Sequence, residues 1–127
     1  MLGAGIVSCT VRYSVDETVA RLEALLQEKG VKLFCVVDHS GEAAAAGLTM
    51  PATKLMIFGN PAAGTPVMLA SPSAALDLPL KILVAEGDGG KTMLSWNDPA
   101  WLSERHNFPA ELVTKLQAAG LFAKQMV

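Results

Sequence analysis

The sequence predicts an α+β fold in which an antiparallel sheet of about five strands carries helices on one face, in β-α-β4-α order. Two features lead to this prediction. A strand-like run is followed by an amphipathic helix, and four further strand-like runs then follow with only short insertions between them. Short links favour an antiparallel meander, because a parallel pair of strands needs a long crossover. With 127 residues and 51% apolar side chains, residues 1–127 are expected to form a single domain around one core.

The first strand and the first helix have the clearest local signals. Residues 6–13 alternate between apolar and polar side chains, which is typical of a strand with one buried face. Ser14 and Glu17 have the spacing of a capping box, in which the two side chains satisfy backbone amides reciprocally. An apolar stripe at helical spacing continues from there to Gly30, a residue type that commonly ends helices.

Four more strands are predicted from apolar runs bounded by turn residues, at 31–38, 52–58, 80–86 and 91–96. Ser40 is the predicted cap of a short helix between the first two of these strands. Thr65 is the predicted cap of a second short helix, with Pro66 at its first position. The Gly-rich residues 87–90 predict a hairpin turn between the last two strands.

Two helical segments are predicted to complete the chain. Asp98 is expected to cap the first segment, with Pro99 at the first helical position. The last helix is expected to begin at residues 107–109 and to end near Gly120.

Charge and hydropathy exclude two classes of partner. The net charge is −2 and no local basic cluster occurs, so no nucleic-acid partner is predicted. No apolar run approaches the roughly 20 residues of a membrane span, and no membrane partner is predicted either. The expected location is cytoplasmic. An exported protein whose signal peptide has been removed is the open alternative.

The two cysteines and the two histidines carry side chains of the types that bind transition metals. Cys9 and Cys35 lie in apolar, strand-like surroundings, which predicts two buried thiols in a reducing compartment. Cys35 and His39 would lie about 13 Å apart along one strand, which is too far for a shared zinc ion. His39 and His106, with a carboxylate, form a secondary candidate site for a metal or a general base. No metal and no cofactor is predicted.

Polar residues gather where the strands of the predicted meander end. Because the end of one antiparallel strand lies beside the start of the next, these residues are expected at one end of the sheet. The candidate ligand-binding residues are Asn60, Asp77, Lys81, Asn97, Asp98 and Arg105. His39 is expected at the opposite end of the sheet, about 20–25 Å away for strands of this length.

The stretch from Gly59 to Pro66 follows an apolar strand and invites comparison with a phosphate-binding loop. A Walker motif needs a lysine directly after its last glycine, and this chain has Thr65 there. Pro61 and Pro66 also remove two backbone donors. Nucleotide binding is therefore not predicted.

Several short motifs occur together, in order, along nearly the whole chain: Asp38-His39, Thr53-Lys54-Leu55, Phe58-Gly59-Asn60-Pro61, Gly64-Thr65-Pro66, Asp77-Leu78-Pro79-Leu80-Lys81, Trp96-Asn97-Asp98-Pro99 and Arg105-His106. This set closely resembles the domain of unknown function 302 family. The resemblance implies a β-α-β4-α fold similar to the TATA-binding-protein-like class, and it implies no established reaction. The chain departs from the family pattern at Trp96, where a Tyr is expected, so a phenol has no implied role there.

Three hypotheses of function follow. The leading one is a homodimer that binds a small polar or anionic molecule near Asn60, with an apolar face of the sheet as the dimer interface. The first alternative is an enzyme that uses His39, or the pair Asp77 and Lys81, for proton transfer; the sequence contains no Ser-His-Asp order that would mark a hydrolase. The second alternative is a structural or protein-interaction module, which the mean hydropathy of +0.37 also favours.

Overall fold

A computed structural model describes residues 3–127 as five strands and five α-helices. The strands are β1 (Ile6–Val11), β2 (Lys32–Asp38), β3 (Thr53–Gly59), β4 (Leu80–Glu86) and β5 (Thr92–Asn97). The helices are α1 (Val15–Glu28), α2 (His39–Ala45), α3 (Pro61–Ala70), α4 (Pro99–His106) and α5 (Ala118–Lys124). Three short 3₁₀ segments lie at Pro72–Leu76, Asp88–Gly90 and Ala110–Leu116 within the same described range.

All five strands form one antiparallel sheet in the order β1-β5-β4-β3-β2, which confirms the predicted α+β class. Strands β2 to β5 form the predicted meander. Strand β1 pairs with β5, where Ile6 lies opposite Asn97. Helix α1 carries the chain from β1 across the sheet to β2 at the far edge, which a short turn could not do.

Helices α1 and α5 cover one face of the sheet, and alternate strand residues point toward them. The strand residues buried there are Val11, Met56, Phe58, Ile82, Val84, Leu94 and Trp96, and the helices contribute Val15, Val19, Leu22, Leu25, Leu26, Ala119, Phe122 and Ala123. The ring centroids of Phe58 and Phe122 lie 6.0 Å apart. Strand β3 and helix α5 therefore meet in the middle of this larger core.

A second, smaller core lies where β4 begins. It is built from α3, α4 and the two longer 3₁₀ segments, through Val67, Ala74, Leu102, Phe108 and Leu116. Leu80 packs against both cores. The start of β4 is therefore fixed between two hydrophobic clusters, and the polar residues around it are held by buried neighbours on both sides.

The opposite face of the sheet is only partly buried. Leu55, Ile57, Leu83 and Met93 alternate with the core residues of their strands, and none of them packs in either core of residues 3–127. Together with Val37 they form a surface that we call the open face. In the described chain, no helix is both long enough and apolar enough to cross a membrane.

Two helix starts agree with the sequence prediction. The Glu17 amide donates to Ser14 Oγ at 3.1 Å, as expected for the start of α1. The Ala100 amide donates to Asp98 Oδ1 at 3.1 Å, and Pro99 is the first residue of α4.

Two other predicted caps were wrong. Helix α2 is capped by Asp38, which accepts from the Gly41 amide at 2.9 Å, and Ser40 bonds instead to the backbone of Thr53. Helix α3 begins earlier than predicted, because Asn60 accepts from the Ala62 amide at 2.9 Å. Thr65 and Pro66 therefore lie inside this helix, and the suspected phosphate loop is helical.

The C-terminal segment is not one continuous helix. A 3₁₀ segment covers Ala110–Leu116, and α5 follows it with Gly120 in its interior, not at its end. The prediction of two buried thiols was also wrong. Cys9 is half-buried on β1, and Cys35 is exposed on β2 at the other edge of the sheet.

Candidate functional site

Asp77 is the centre of a group of polar side chains at the end of the sheet where β4 begins. Its Oδ2 atom lies 2.7 Å from Arg105 Nη1 and 2.5 Å from His106 Nε2. Arginine can only donate, so the ionised carboxylate of Asp77 is the acceptor for both groups. His106 Nε2 consequently carries the proton of this hydrogen bond.

Ser73 extends this network to the surface. Its Oγ atom lies 2.8 Å from His106 Nδ1. When Nε2 is protonated in a neutral imidazole, Nδ1 is an acceptor, and the Ser73 hydroxyl donates to it. The side chain of His106 is 4% exposed and that of Asp77 is 17% exposed, whereas Ser73 is exposed. A chain of hydrogen bonds therefore runs from the half-buried carboxylate of Asp77 to the hydroxyl of an exposed serine.

The local backbone explains why these residues meet. The 3₁₀ segment Pro72–Leu76 brings Ser73 and Asp77 toward the same neighbour, and the Asp77 amide closes the segment by donating to Ala74 at 3.0 Å. Asn107 adopts the left-handed conformation with φ 55°, which ends α4 directly after His106. Basic side chains in a last helical turn also interact favourably with the helix dipole.

Lys81 is engaged by the backbone of the same segment. Its Nζ donates to the carbonyl oxygens of Asp77 at 3.1 Å and of Pro79 at 2.8 Å. Partial burial lowers the pKa of Lys81, and the negative charge of Asp77 opposes this shift. The carboxylate of Asp77 bonds to Arg105 and His106, so Lys81 contacts the backbone of Asp77 and not its side chain.

A cavity of about 310 Å³ lies beside this polar group. Its lining residues are Phe34, Gly59, Asn60, Pro61, Ala63, Gly64, Thr65, Met68, Ala75, Leu78, Pro79, Leu80, Lys115 and Leu116. Among these described residues only Asn60, Thr65 and Lys115 have polar side chains. Ala75 and Leu78 come from the same stretch of chain as Asp77. One side of that stretch therefore lines an apolar cavity, while Ser73 and Asp77 join the polar network.

The predicted residues at this end of the sheet divide between several roles. Asn60 lines the cavity and caps α3, and it makes no hydrogen bond to Asp77 or Lys81 within residues 3–127. Asn97 ends β5 opposite β1, and Asp98 caps α4. These residues share one end of the sheet, as the antiparallel pairing predicted, but they do not form one site.

The histidine pair is not assembled. His39 is exposed at the start of α2. Its neighbour Asp38 lies opposite Lys54 in the pairing of β2 with β3, near the start of β3. His106 lies near the other end of that strand, beside the start of β4. The prediction that His39 occupies the opposite end of the sheet is confirmed. Within residues 3–127 no group of three or more His, Cys, Asp or Glu side chains is arranged to hold a metal ion.

Sequence reasoning missed Ser73 and the apolar lining of the cavity. Ser73 lies 33 residues before His106, and no motif links the two positions. Two features of the sequence point toward this network: the adjacent Arg105 and His106, and the four-residue spacing between Ser73 and Asp77.

Comparison with known proteins places the chain in a family. Residues 7–120 match the family model described as domain of unknown function DUF302. The fold is similar to the crystal structure of an uncharacterized conserved DUF302 protein from Bacillus stearothermophilus, with a TM-score of 0.86 and 19% sequence identity over 98% of this chain and all of the other.

Curated relatives extend the comparison to longer proteins. The chain is 43% identical over 107 residues to Fluoride-specific ion channel FluC 1 of Brucella suis biovar 1 (strain 1330), covering 84% of this chain and 42% of the relative. The same identity relates it to Fluoride-specific ion channel FluC 2 of Brucella melitensis biotype 1 (strain ATCC 23456), covering 40% of that protein. The chain thus spans about two fifths of these relatives. From the match over residues 7–120, we conclude that the chain belongs to the DUF302 family, the domain of unknown function.

Proposed function

We propose that this chain binds a small molecule in the cavity beside Asn60 and that it does so as a homodimer. The observation that carries the binding proposal is the cavity itself. At about 310 Å³ it reaches the lower end of the range in which small-molecule sites are found. It also combines an apolar lining with a few convergent polar groups, which is the usual composition of such sites.

The lining indicates the chemistry of the ligand. Most of the surface is apolar, so the body of the ligand should be apolar too, because an unpaired polar group buried there would lose its hydration. Lys115, Thr65 and Asn60 supply the polar contacts. Asn60 uses Oδ1 to cap α3, so its amide nitrogen remains available as a donor. Two donors and one cation suit a single polar or anionic end group, such as a carboxylate.

Decanoate, which has an apolar chain and one carboxylate, is a suitable probe. In a titration followed by nuclear magnetic resonance, the backbone amide signals of the non-proline residues in 59–68 and 115–116 should shift. Substitution of Ala63 by Phe should fill the cavity and abolish the shifts. The matched control is Ala62→Phe, because Ala62 is the preceding residue of α3, is exposed, and does not line the cavity.

The polar end of the site is tested with a second pair of probes. Lys115 is exposed, so its charge should add only modestly to affinity. Lys115→Gln should weaken decanoate binding by roughly two- to five-fold and leave the binding of decanol unchanged. If decanoate shifts no amide of the cavity in the wild-type protein, or shifts it equally in Ala63→Phe, the cavity is not a ligand site of this kind.

The names of the Brucella relatives suggest fluoride as a further probe. Fluoride is a strongly hydrated ion, and the mostly apolar lining offers few donors to replace its water. Sodium fluoride and sodium chloride of equal ionic strength should therefore give the same chemical shifts for the backbone amides that line the cavity. A specific response to fluoride would replace the proposed ligand, with its apolar body and polar or anionic end group, by a halide ion.

The homodimer is proposed on the open face. Its strands present Leu55, Ile57 and Leu83 at the centre, all half-buried and outside both hydrophobic cores of the described chain. Of the strand residues that alternate onto this face, only Lys32 and Lys81 are charged, and both lie at the same end. In a dimer whose two-fold axis passes through the centre of the open face, Lys32 and Lys81 of one copy would lie at the opposite end of the interface from Lys32 and Lys81 of the other. Like charges would therefore stay apart.

Leu83→Lys tests the dimer, because it places a charge at the centre of the open face. The matched control is Leu121→Lys, which changes an exposed leucine on helix α5, on the other side of the sheet. Sedimentation analysis should show dimers for the wild-type protein and for Leu121→Lys, and monomers for Leu83→Lys. A monomeric wild-type protein, or a dimer that tolerates Leu83→Lys, would contradict this interface.

A further inference from the structure

We propose that Ser73 is a nucleophile, activated by His106 and Asp77, that takes the acyl group of a small carboxylic ester. The activity would be separate from ligand binding in the cavity. The three side chains meet the geometric requirement for an activated serine: a hydroxyl within hydrogen-bond reach of a base, and a third group that orients the base.

The distances give each residue a role. Ser73 Oγ lies 2.8 Å from His106 Nδ1, within reach for proton transfer to a general base. His106 Nε2 lies 2.5 Å from Asp77 Oδ2, which fixes the imidazole in the tautomer that leaves Nδ1 unprotonated. Arg105 holds the same carboxylate oxygen at 2.7 Å and is a positioning residue. In a common serine-protease triad the serine bonds to Nε2 and the carboxylate to Nδ1, so the two ring nitrogens exchange roles here. The imidazole still accepts from the hydroxyl and donates to the carboxylate.

Burial separates the base from the nucleophile. The side chain of His106 is 4% exposed, whereas Ser73 is an exposed residue of the 3₁₀ segment Pro72–Leu76. An ester in solution can therefore reach the hydroxyl. A purely structural bond between α4 and this segment would not require an exposed hydroxyl at its end.

The reaction proceeds in two balanced steps. Ser73 Oγ attacks the carbonyl carbon of the ester, and its proton passes to His106 Nδ1. The imidazolium then returns this proton to the departing alkoxide oxygen as the ester C–O bond breaks, which leaves an acyl group on Ser73 and releases the alcohol. Water then attacks the acyl carbon and gives a proton to His106. The bond to Oγ breaks, His106 returns the proton to Oγ, and the carboxylic acid leaves with the Ser73 hydroxyl restored.

A fluorophosphonate probe tests the nucleophile directly. Ser73 Oγ would form a bond to phosphorus, fluoride would leave, and the hydroxyl proton would pass to His106. Mass spectrometry of the intact protein should show one adduct, and peptide analysis should locate it at Ser73. Ser73→Ala should reduce labelling to background, while Ser71→Ala should keep it, because Ser71 is a near neighbour outside the network. Hydrolysis of p-nitrophenyl acetate should fall in parallel.

A second pair of variants tests the role of His106 through a thiol at position 73. In Ser73→Cys, the imidazole of His106 should stabilise the introduced thiolate, as a neighbouring histidine does in reactive cysteine sites. At about pH 6, its alkylation by iodoacetamide should be on the order of tenfold faster than in Ser73→Cys combined with His106→Asn. Exposed Cys35 serves as the internal reference in both proteins.

The outcomes are decisive in either direction. A single adduct at Ser73 that is absent in Ser73→Ala supports the proposal, as does faster alkylation of the thiol variant that retains His106. No adduct above the level of Ser73→Ala, or equal alkylation rates in the two thiol variants, would overturn it. Decanoate binding in the cavity is measured independently with Ser73→Ala, in which it should be unchanged.

Discussion

Gly120 of α5 packs directly against the indole of Trp96 on β5. A Cβ atom at position 120 would stand 3.1 Å from Trp96 Nε1, which is closer than ordinary van der Waals contact. Trp96 is 7% exposed and belongs to the larger core, so the ring has little room to move. The glycine that sequence reasoning assigned to a helix end instead packs against a core side chain.

This contact predicts that Gly120→Ala destabilises the protein even though alanine is the better helix former. The helix-propensity gain is about 0.5–1 kcal/mol, and overpacking costs about 1–3 kcal/mol, so a net loss of about 1 kcal/mol is expected. The measurement is the free energy of unfolding in urea.

Gly64→Ala is the control for Gly120→Ala, because both glycines lie inside helices. A Cβ at Gly64 would be 3.8 Å from Leu78 and 3.9 Å from Met68, which are ordinary contacts. This variant should gain about 0.5–1 kcal/mol. A Gly120→Ala protein as stable as Gly64→Ala would show that the Trp96 ring moves aside without cost.

Substitution of Asp77 by Asn should destabilise the fold by about 1–3 kcal/mol, because it removes a charged acceptor shared by two donors. His106 is the more affected donor, since its side chain is 4% exposed. Glu104→Gln is the control: Glu104 is exposed, and it takes part in no ion pair of residues 3–127. Equal unfolding free energies for the two variants would mean that the network contributes nothing to stability.

Acid should selectively weaken the start of α2. The amide of Gly41, and secondarily the hydroxyl of Ser40, lower the pKa of Asp38 below its ordinary value of 3.8. A lowered pKa in the folded state means that the stabilisation is complete above pH 3.8 and is lost as the pH falls through the folded pKa.

The difference in melting temperature between the wild-type protein and Asp38→Asn should therefore be constant above about pH 5 and shrink at lower pH. A difference that stays constant down to the acid unfolding transition would contradict the role of Asp38 as an ionised cap.

The two thiols should differ in reactivity. Cys35 is exposed, whereas burial raises the pKa of Cys9 and reduces its thiolate fraction. Iodoacetamide should alkylate Cys35 faster, by on the order of tenfold, which peptide mass spectrometry can measure. Because Cys35 alternates onto the open face, its reaction should slow at high protein concentration in the wild type but not in Leu83→Lys. Equal rates at both thiols would contradict the difference in burial.

Local patterns in the sequence were sufficient for most of the fold. The alternation in residues 6–13, the capping box at Ser14 and the cap at Asp98 all predicted elements that the structure contains. Each of these patterns involves residues only a few positions apart, so recognising it does not require contacts between distant parts of the chain. The helix at Asn60 was placed wrongly because Asn60 and Thr65 are both good caps, and local preference alone does not choose between them.

The sequence by itself determined the class of the fold, the family, and the end of the sheet at which the polar residues collect. Periodicity reports which face of a segment is buried, and antiparallel pairing then fixes which strand ends meet. Only the tertiary structure decided that β1 pairs with β5 and that Ser73, Asp77 and His106 form one network. These contacts join residues 29 or more positions apart in the chain. These contacts form because the two hydrophobic cores hold separate segments next to each other. A pattern within one short segment does not predict which distant segment it will contact.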